Sequence, residues 1–382
     1  MYKQISNQKH QISSGSGDPL KIGIKGIGVL GGFGCGIAEL ERALLCGSSP
    51  QCTVAVNTLE GSLDVPALIA RTDRLSEFVD KGALRRLDHY IRMALLGSYL
   101  ALEDAGMIDA KLRRMGIIVA TGYGSTCNMM DIQQALNNDA PLISPTRFAN
   151  SVHNAAATHI SILLDEMGPS LSVNDYDVSI PSAFLCACQW LREKRVEAVL
   201  VGGVDEYCRA LGYNWYRRYH SEDPEKNNPA DSVPEHAVMG EGACFFVLTP
   251  EADASPYGCI EAVRMGNYTR GRIDAAKDAV YFLSVDAYSE FGDPYAVYLP
   301  KETKVASYTH LYGGIPIGMG FDIAIAALSH KVGKIYVSDE GGRYHSDRLN
   351  VIRNEEPLGT GGICCLKLGA GGTLGSVQVG RF

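Results

Sequence analysis

Residues 170–184 read SLSVNDYDVSIPSAF, and the organisation of the whole chain turns on this stretch. Leu171 and Val173 alternate with polar residues as in a half-buried strand, and the alternation stops at an acidic patch, Asp175 and Asp177. Small residues then open a helix, with Pro181 inside its first turn, where a missing N–H is tolerated. Many α/β enzymes present a nucleophile at such a strand-to-helix turn, because the helix N-terminus stabilises negative charge. Here the turn holds an aspartate, and Cys186 and Cys188 lie deeper in the helix.

The chain around this turn has 382 residues, 46% hydrophobic and 20% charged, with a formal net charge of −8. It can bury a large core in two lobes or halves, and its acidic balance argues against nucleic acid as a partner. No run approaches the ~18 apolar residues of a membrane span. Residues 1–20 are polar and lack the apolar stretch of a targeting signal, so they read as a flexible tail and the protein as cytoplasmic. The 11 cysteines form no CxxC pair and no Cys/His cluster with zinc spacing, so no metal is expected. Most sit in apolar stretches such as GACFFVL and GGICCLKL and read as buried reduced thiols. A loose glycine pattern at Gly26, Gly28 and Gly31 has no acid about 20 residues on at the end of a second strand, so no dinucleotide cofactor is expected.

KIGIKGIGVLGGFGCGIAELERALLCG reads as strand, glycine turn and helix. Leu84, Leu87, Ile91, Leu95, Tyr99 and Leu102 share one face of a long amphipathic helix that stops at Gly106. MGIIVATGYGS is a buried strand entering a glycine turn, and NSVHNAAATHISILLDEMG is a helix whose alanines permit close packing. CQWLREKRVEAVLVGGVDEY gives helix, basic turn and strand, and PEHAVMGEGACFFVLTP a pair of strands turning at the glycines. Between them, residues 217–236 form a polar loop with three prolines. The grammar then repeats in shorter form. FDIAIAALSHKVGKIYVSDEGG is again helix, basic turn and strand, and EPLGTGGICCLKL matches MGEGACFFVL. Two α/β halves, 21–255 and an abridged 256–382, follow from this repetition.

Taken together, SPTRFANSVHNAAATHISI (144–162), VEAVLVGGVDE (196–206), VMGEGACFFVL (238–248) and GTGG (359–362) resemble, in order and spacing, the corresponding blocks of the β-ketoacyl synthases. The resemblance extends over nearly all of the chain after the tail. It implies a thiolase-like α/β fold, two pseudo-repeated halves in a layered αβαβα arrangement.

The resemblance also locates departures. Counted from Gly168-Pro169, the family's nucleophilic cysteine position holds Asp177, for which a helix-capping role is expected. Cys186 lies nine residues further on, about 13–14 Å along a helix, beyond the reach of the helix-end field. Ser179 and Ser182 are nearer but have no evident base. The family's second histidine, in a Gly-His pair, corresponds to Gly313-Gly314, with His310 three residues early and expected to be structural. The stretch for the first histidine, about 268–303, contains none, and the gating phenylalanine of the glycine-rich C-terminal loop is read as Thr360.

A condensing-enzyme fold without Cys, His and His is similar to the chain-length factors of type II polyketide synthases, with the short aryl-polyene and aromatic types the nearest. What the resemblance implies is a non-catalytic subunit paired with an active ketosynthase. That pair elongates a polyketide held on an acyl carrier protein, and the tunnel at its interface sets product length. Thr126, Cys127, Asn128, Met129 and Met130 are then tunnel candidates, with ordinary core the alternative for the two methionines. Asn150, His153 and Asn154 belong to the dimer contact. Two other functions stay open on the sequence: an acyltransferase or decarboxylase with an atypical nucleophile, or a stand-alone pseudoenzyme that binds a carrier protein.

Overall fold

The computed structural model describes residues 21–58, 61–108, 114–137, 144–219, 238–250, 255–270, 279–285, 294–338 and 347–381. The expected tail and most of the polar loop lie outside these residues; 217–219 continue a helix.

Ten strands build two units. The first comprises β1 (Ile22–Gly31), β2 (Met115–Thr121), β3 (Ser170–Asn174), β4 (Ala198–Asp205) and β5 (Gly242–Thr249). They pair in the order β1-β5-β4-β2-β3, antiparallel at the first two steps and parallel at the last two. The second comprises β6 (Cys259–Asn267), β7 (Val280–Leu283), β8 (Lys304–Ala306), β9 (Ile363–Leu368) and β10 (Thr373–Gly380). Their order, β6-β10-β9-β7-β8, repeats the first with the same directions. Antiparallel pairing of β1 with β6 joins the units, with Ile22 opposite Ile260.

The chain is therefore duplicated, but with a different correspondence from the one read off local patterns. ICCLKL, as β9, holds the place of β4 rather than of ACFFVL; the counterpart of β5 is β10. Lys334–Ile335 pairs with Glu356–Pro357 in a small separate sheet, so KIYVSD supplies no core strand. Fourth and fifth strands are alike locally, each an apolar run beside glycines, and only the ladder tells them apart. Likewise Met239–Gly240 pairs in parallel with Gly61–Leu68 and makes no hairpin with β5.

The helices used below are α1 (His89–Asp104), α2 (Thr126–Asn137), α3 (Pro145–Ala149), α4 (Ala155–Leu163), α5 (Ser179–Arg192), α6 (Arg209–Tyr219), α7 (Pro294–Tyr298), α8 (Thr309–Tyr312) and α9 (Gly318–Val332). Strand periodicity assigns the layers. Cys244, Phe246 and Leu248 of β5 join a central core with Ile180, Ala183 and Phe184 of α5 and Phe321 and Ile325 of α9. The alternate residues Ala243, Phe245 and Val247 face an outer core with α1 and α4. In the second unit Ile363 and Cys365 of β9 face the central core, whereas Cys364 and Leu366 face α7. The layers run α, β, α, β, α, and the last is thinned among the described residues to the five residues of α7.

The expected long amphipathic helix is two pieces. Leu84 ends a short helix, Lys81–Leu84, and Asp88 starts α1 by accepting the Ile91 N–H at 2.9 Å. Tyr90, Ile91 and every residue from Met93 to Leu102 are buried, so α1 is a core helix on all sides. The glycines of β1 accommodate it. A Cβ at Gly26 would stand 2.5 Å from the Ala105 nitrogen, and one at Gly28 would overlap the Gly97 carbonyl and stand 2.9 Å from the Leu100 Cβ. The glycine pattern thus serves helix-on-strand packing. Cys46 and Cys52 are exposed, unlike Cys244, Cys259, Cys364 and Cys365. Among the described residues no helix is long and apolar enough to cross a membrane.

Gly28→Ala should destabilise the chain by about 1–3 kcal/mol, the range for overpacking. Gly82→Ala, whose Cβ would meet nothing within 4 Å, should not. Urea midpoints compare the two.

Candidate functional site

β3 ends at Asn174 and the chain enters α5 through one 3-10 turn, Tyr176–Val178. Tyr176 takes φ 46°, a left-handed conformation that is unfavourable for an aromatic residue. Its ring meets Tyr123 edge to face at 5.7 Å. The turn has the sharp, strained form of an elbow.

Asp177 is 5% exposed. The N-cap residue of α5 is Val178, so Asp177 stands one residue outside the capping position expected for it. The entry to α5 is held by Ser179, whose hydroxyl accepts the Asp175 N–H at 2.7 Å and lies 2.9 Å from the Thr121 and Tyr176 carbonyls. Ser182 donates to Asp175 Oδ2 at 3.0 Å. Both hydroxyls are engaged in shaping the turn. Burial raises the thiol pKa of Cys186 and pushes that of Cys188 up to about 12, so neither is an activated nucleophile.

The glycine turn against Asp177 is the one between β9 and β10. A Cβ at Gly369 would stand 2.8 Å from the Asp177 Cβ and 2.9 Å from its Oδ2. Thr360 is exposed in the turn that precedes β9, at the far end of a six-residue strand, about 20 Å away. Two glycine-rich turns flank β9: the turn 369–372 meets Asp177, and Thr360, read from the resemblance as the gating position, lies in the other.

Gly313 has φ 81°, and Gly314 follows it against α6. A Cβ at Gly314 would overlap the indole of Trp215, with Cη2 at 2.8 Å. Trp215 is buried with Ala67, Tyr207 and Met239. The space in front of residue 314, where a histidine would project, is thus filled by the tryptophan. His310 lies in α8, ahead of this point. Of the stretch expected for the first histidine, 271–278 and 286–293 fall outside the described residues.

The segment 126–130 divides. Cys127 N–H donates to Glu206 Oε1 at 3.1 Å and its thiol to the Tyr207 carbonyl at 3.4 Å. Asn128 donates to Asp88 Oδ2 at 2.6 Å, and the Thr126 hydroxyl to the Tyr123 carbonyl at 2.5 Å. Met129 and Met130 are exposed, which excludes the alternative that they are core. Asn150 is buried and donates to the Arg86 carbonyl at 3.2 Å. His153 packs on Gly124, and Asn154 is the N-cap residue of α4 without a side-chain bond. Beside them Phe148, Ile162 and Met167 are 67%, 65% and 94% exposed, and among the described residues β3 ends the strand order as an edge.

Two buried carboxylates brace the site. Asp205, at the end of β4, accepts from the Thr121 hydroxyl at 2.6 Å and from the N–H groups of Gly122, Tyr123 and Gly124 at 2.8–3.3 Å. Burial nevertheless pushes its pKa up to about 6. Asp322 of α9 accepts from Ser284 and, at 2.9 Å, from Tyr312, and burial likewise pushes it up to about 6. Sequence reasoning passed over Asp205, Asp322, Trp215 and Gly369. An acid closing an apolar strand was a readable signal for Asp205; nothing local pairs Trp215 with Gly314. Among the described residues no three His, Cys, Asp or Glu are grouped to hold a metal ion.

The profile of the family described as "Beta-ketoacyl synthase, N-terminal domain" matches residues 52–254, more than half of the chain. A 3-oxoacyl-[acyl-carrier-protein] synthase 2 from Coxiella burnetii is 25% identical over 240 residues, 60% of this chain and 57% of that protein. The chloroplastic 3-oxoacyl-[acyl-carrier-protein] synthase I of Hordeum vulgare is 27% identical over 249 residues, 60% of this chain and 53% of that protein. The chain thus spans little more than half the length of these curated relatives. Among solved structures, the ishigamide ketosynthase/chain length factor superposes with a TM-score of 0.75 at 16% identity, covering 95% of this chain and 99% of that one. A ketosynthase in complex with its chain length factor from Xenorhabdus doucetiae gives 0.74 at 14% identity, covering 97% and 100%. These likenesses establish the thiolase-like ketosynthase fold.

Asp205 and Asp322 bind protons near pH 6 when folded and near ~4 when unfolded. The folded state therefore holds more protons in that window, and their contribution to stability is lost as pH rises from ~4 through ~6. Asp322→Asn should flatten that slope, as read from urea midpoints at several pH values.

Proposed function

The chain belongs to the β-ketoacyl synthase family, and we propose that it acts there as a chain-length factor, a subunit that does not condense but pairs with an active ketosynthase. The observation that carries this reading is the elbow itself. Asp177 stands where the resemblance puts the nucleophilic cysteine, and Gly314, against Trp215, stands where it puts a histidine. A carboxylate does not form the stable, transferable thioester that condensation uses. Without imidazole at 314, one of the two groups that polarise the thioester carbonyl is missing. The engaged hydroxyls of Ser179 and Ser182 and the raised thiols of Cys186 and Cys188 count against a relocated nucleophile at this turn.

The pairing surface in this reading is the open edge of β3 with the exposed apolar side chains of α3 and α4. An unpaired strand edge beside an apolar face invites a partner strand. Solved complexes of a ketosynthase with its chain length factor, and of a type II ketosynthase with its acyl carrier protein, are among the fold's neighbours. In our reading the partner elongates a polyketide carried on an acyl carrier protein in the cytoplasm. α2 then lies at the tunnel, with Thr126, Met129 and Met130 the side chains to vary.

Co-expression with the ketosynthase of the same biosynthetic system tests the pairing. The two should purify as a heterodimer; a stable homodimer that ignores the ketosynthase overturns the reading. Phe148→Asp and Ile162→Asp should each weaken the pair by about 2 kcal/mol or more while the circular dichroism of the chain stays unchanged.

Within that heterodimer, Thr126→Phe should shorten the product and leave condensation running. Mass spectra of the released chains check this, and loss of product at unchanged length would remove α2 from the tunnel.

A further inference from the structure

The parallel neighbours β2 and β4 end at the same edge of the sheet, so the loops that follow them lie side by side. One loop leads into α2 with Cys127 in its first turn; the other leads into α6 with Cys208 immediately before it. Asp205 ties the two loops together through the N–H groups of Gly122, Tyr123 and Gly124. Cys127 N–H then reaches Glu206, and its sulfur reaches the Tyr207 carbonyl. The Tyr207 carbonyl that its sulfur meets at 3.4 Å is the one joined to the Cys208 nitrogen, so the two cysteines sit on adjacent loop ends.

The two sulfurs are unequal. The thiol of Cys127 and the backbone N–H groups of Ala210 and Leu211, the latter at the start of an eleven-residue helix, hold the Cys208 sulfur well below the usual thiol range. Cys208, with burial and the nearby Glu206 charge, raises Cys127. Every other cysteine with a shifted pKa is raised. Burial brings the adjacent Glu206 carboxyl up to about 7, a value suited to taking a proton near neutrality. One sulfur is poised to react as thiolate and the other to follow it.

We propose that Cys127 and Cys208 form a hydroperoxide-responsive dithiol that closes to a disulfide and fastens α2 to α6. In the first step the Cys208 thiolate attacks the outer oxygen of a hydroperoxide. The O–O bond breaks, the leaving oxygen takes a proton, and Cys208 becomes a sulfenic acid. In the second step the Cys127 sulfur, its proton passing to Glu206, attacks the Cys208 sulfur. The S–O bond breaks and hydroxide departs as water with that proton. Two thiols together lose two electrons and two protons, and the peroxide is reduced to water and an alcohol, or to two waters. The bond would join the helix that carries Trp215 against Gly314 to the helix that exposes Met129 and Met130.

The test is non-reducing peptide mapping by mass spectrometry of the full chain after hydrogen peroxide. The expected result is a Cys127–Cys208 cross-linked peptide that dithiothreitol removes and that Cys208→Ser lacks. In Cys127→Ser, which has no resolving sulfur, dimedone should trap a sulfenic acid on Cys208. If peroxide oxidises the exposed Cys46 and Cys52 while Cys127 and Cys208 stay reduced, the proposal is overturned. Absence of the dimedone adduct from a Cys127→Ser chain of native circular dichroism overturns it equally.

Discussion

The N-termini of the two central helices meet over small residues, and the rest of the structure depends on that close approach. A Cβ at Gly203 of β4 would stand 2.6 Å from Ile180 Cδ1 of α5 and 2.9 Å from Ile317 Cγ2, the residue before α9. One at Gly320 would overlap the Cys244 sulfur and stand 3.4 Å from Ile180 Cδ1. Interiors are packed to crystal density, so a single methyl here would push the helices apart. Their apposition sets the spacing of the two sheets and brings the loop after β3 and the segment after β8 to the same place.

Duplication explains why those two segments are equivalent. Each unit places its third strand before a central helix, β3 before α5 and β8 before α9, and pseudo-symmetry sends both chain turns to the middle of the molecule. The elbow places Tyr176 at positive φ immediately before Asp177. At Asp177 and Gly314 the middle of the molecule is built for packing: one sits against Gly369, the other against Trp215. The charged groups that remain buried nearby, Asp205 and Asp322, are each enclosed by hydrogen-bond donors and hold loops and helices in place.

Several features were legible because they are local. Alternation in SLSVN and the apolar runs ICCLKL and ACFFVL marked strands, although only the structure showed which face each run turns to which core. By resemblance to the β-ketoacyl synthases, counting from Gly168-Pro169 put Asp177 at that family's cysteine position. Features that failed were those in which a local pattern has two equivalent readings. The glycines of β1 have the look of a phosphate loop but make room for α1, and Leu84 fits a helical period that Asp88 interrupts by capping. Thr360 and the turn at Gly369 flank one strand, and only the ladder decides which end faces the elbow.

Composition and periodicity thus determined an α/β chain of two related halves, because strands and helices are each set by neighbouring residues. Tertiary structure alone decided which residues meet Asp177 and Gly314. Trp215 and Gly314 are nearly a hundred positions apart, Cys127 and Cys208 just over eighty, and neither pair has a signature along the chain. They meet because parallel strand ends and opposed helix N-termini converge, a constraint that exists only once both sheets have formed.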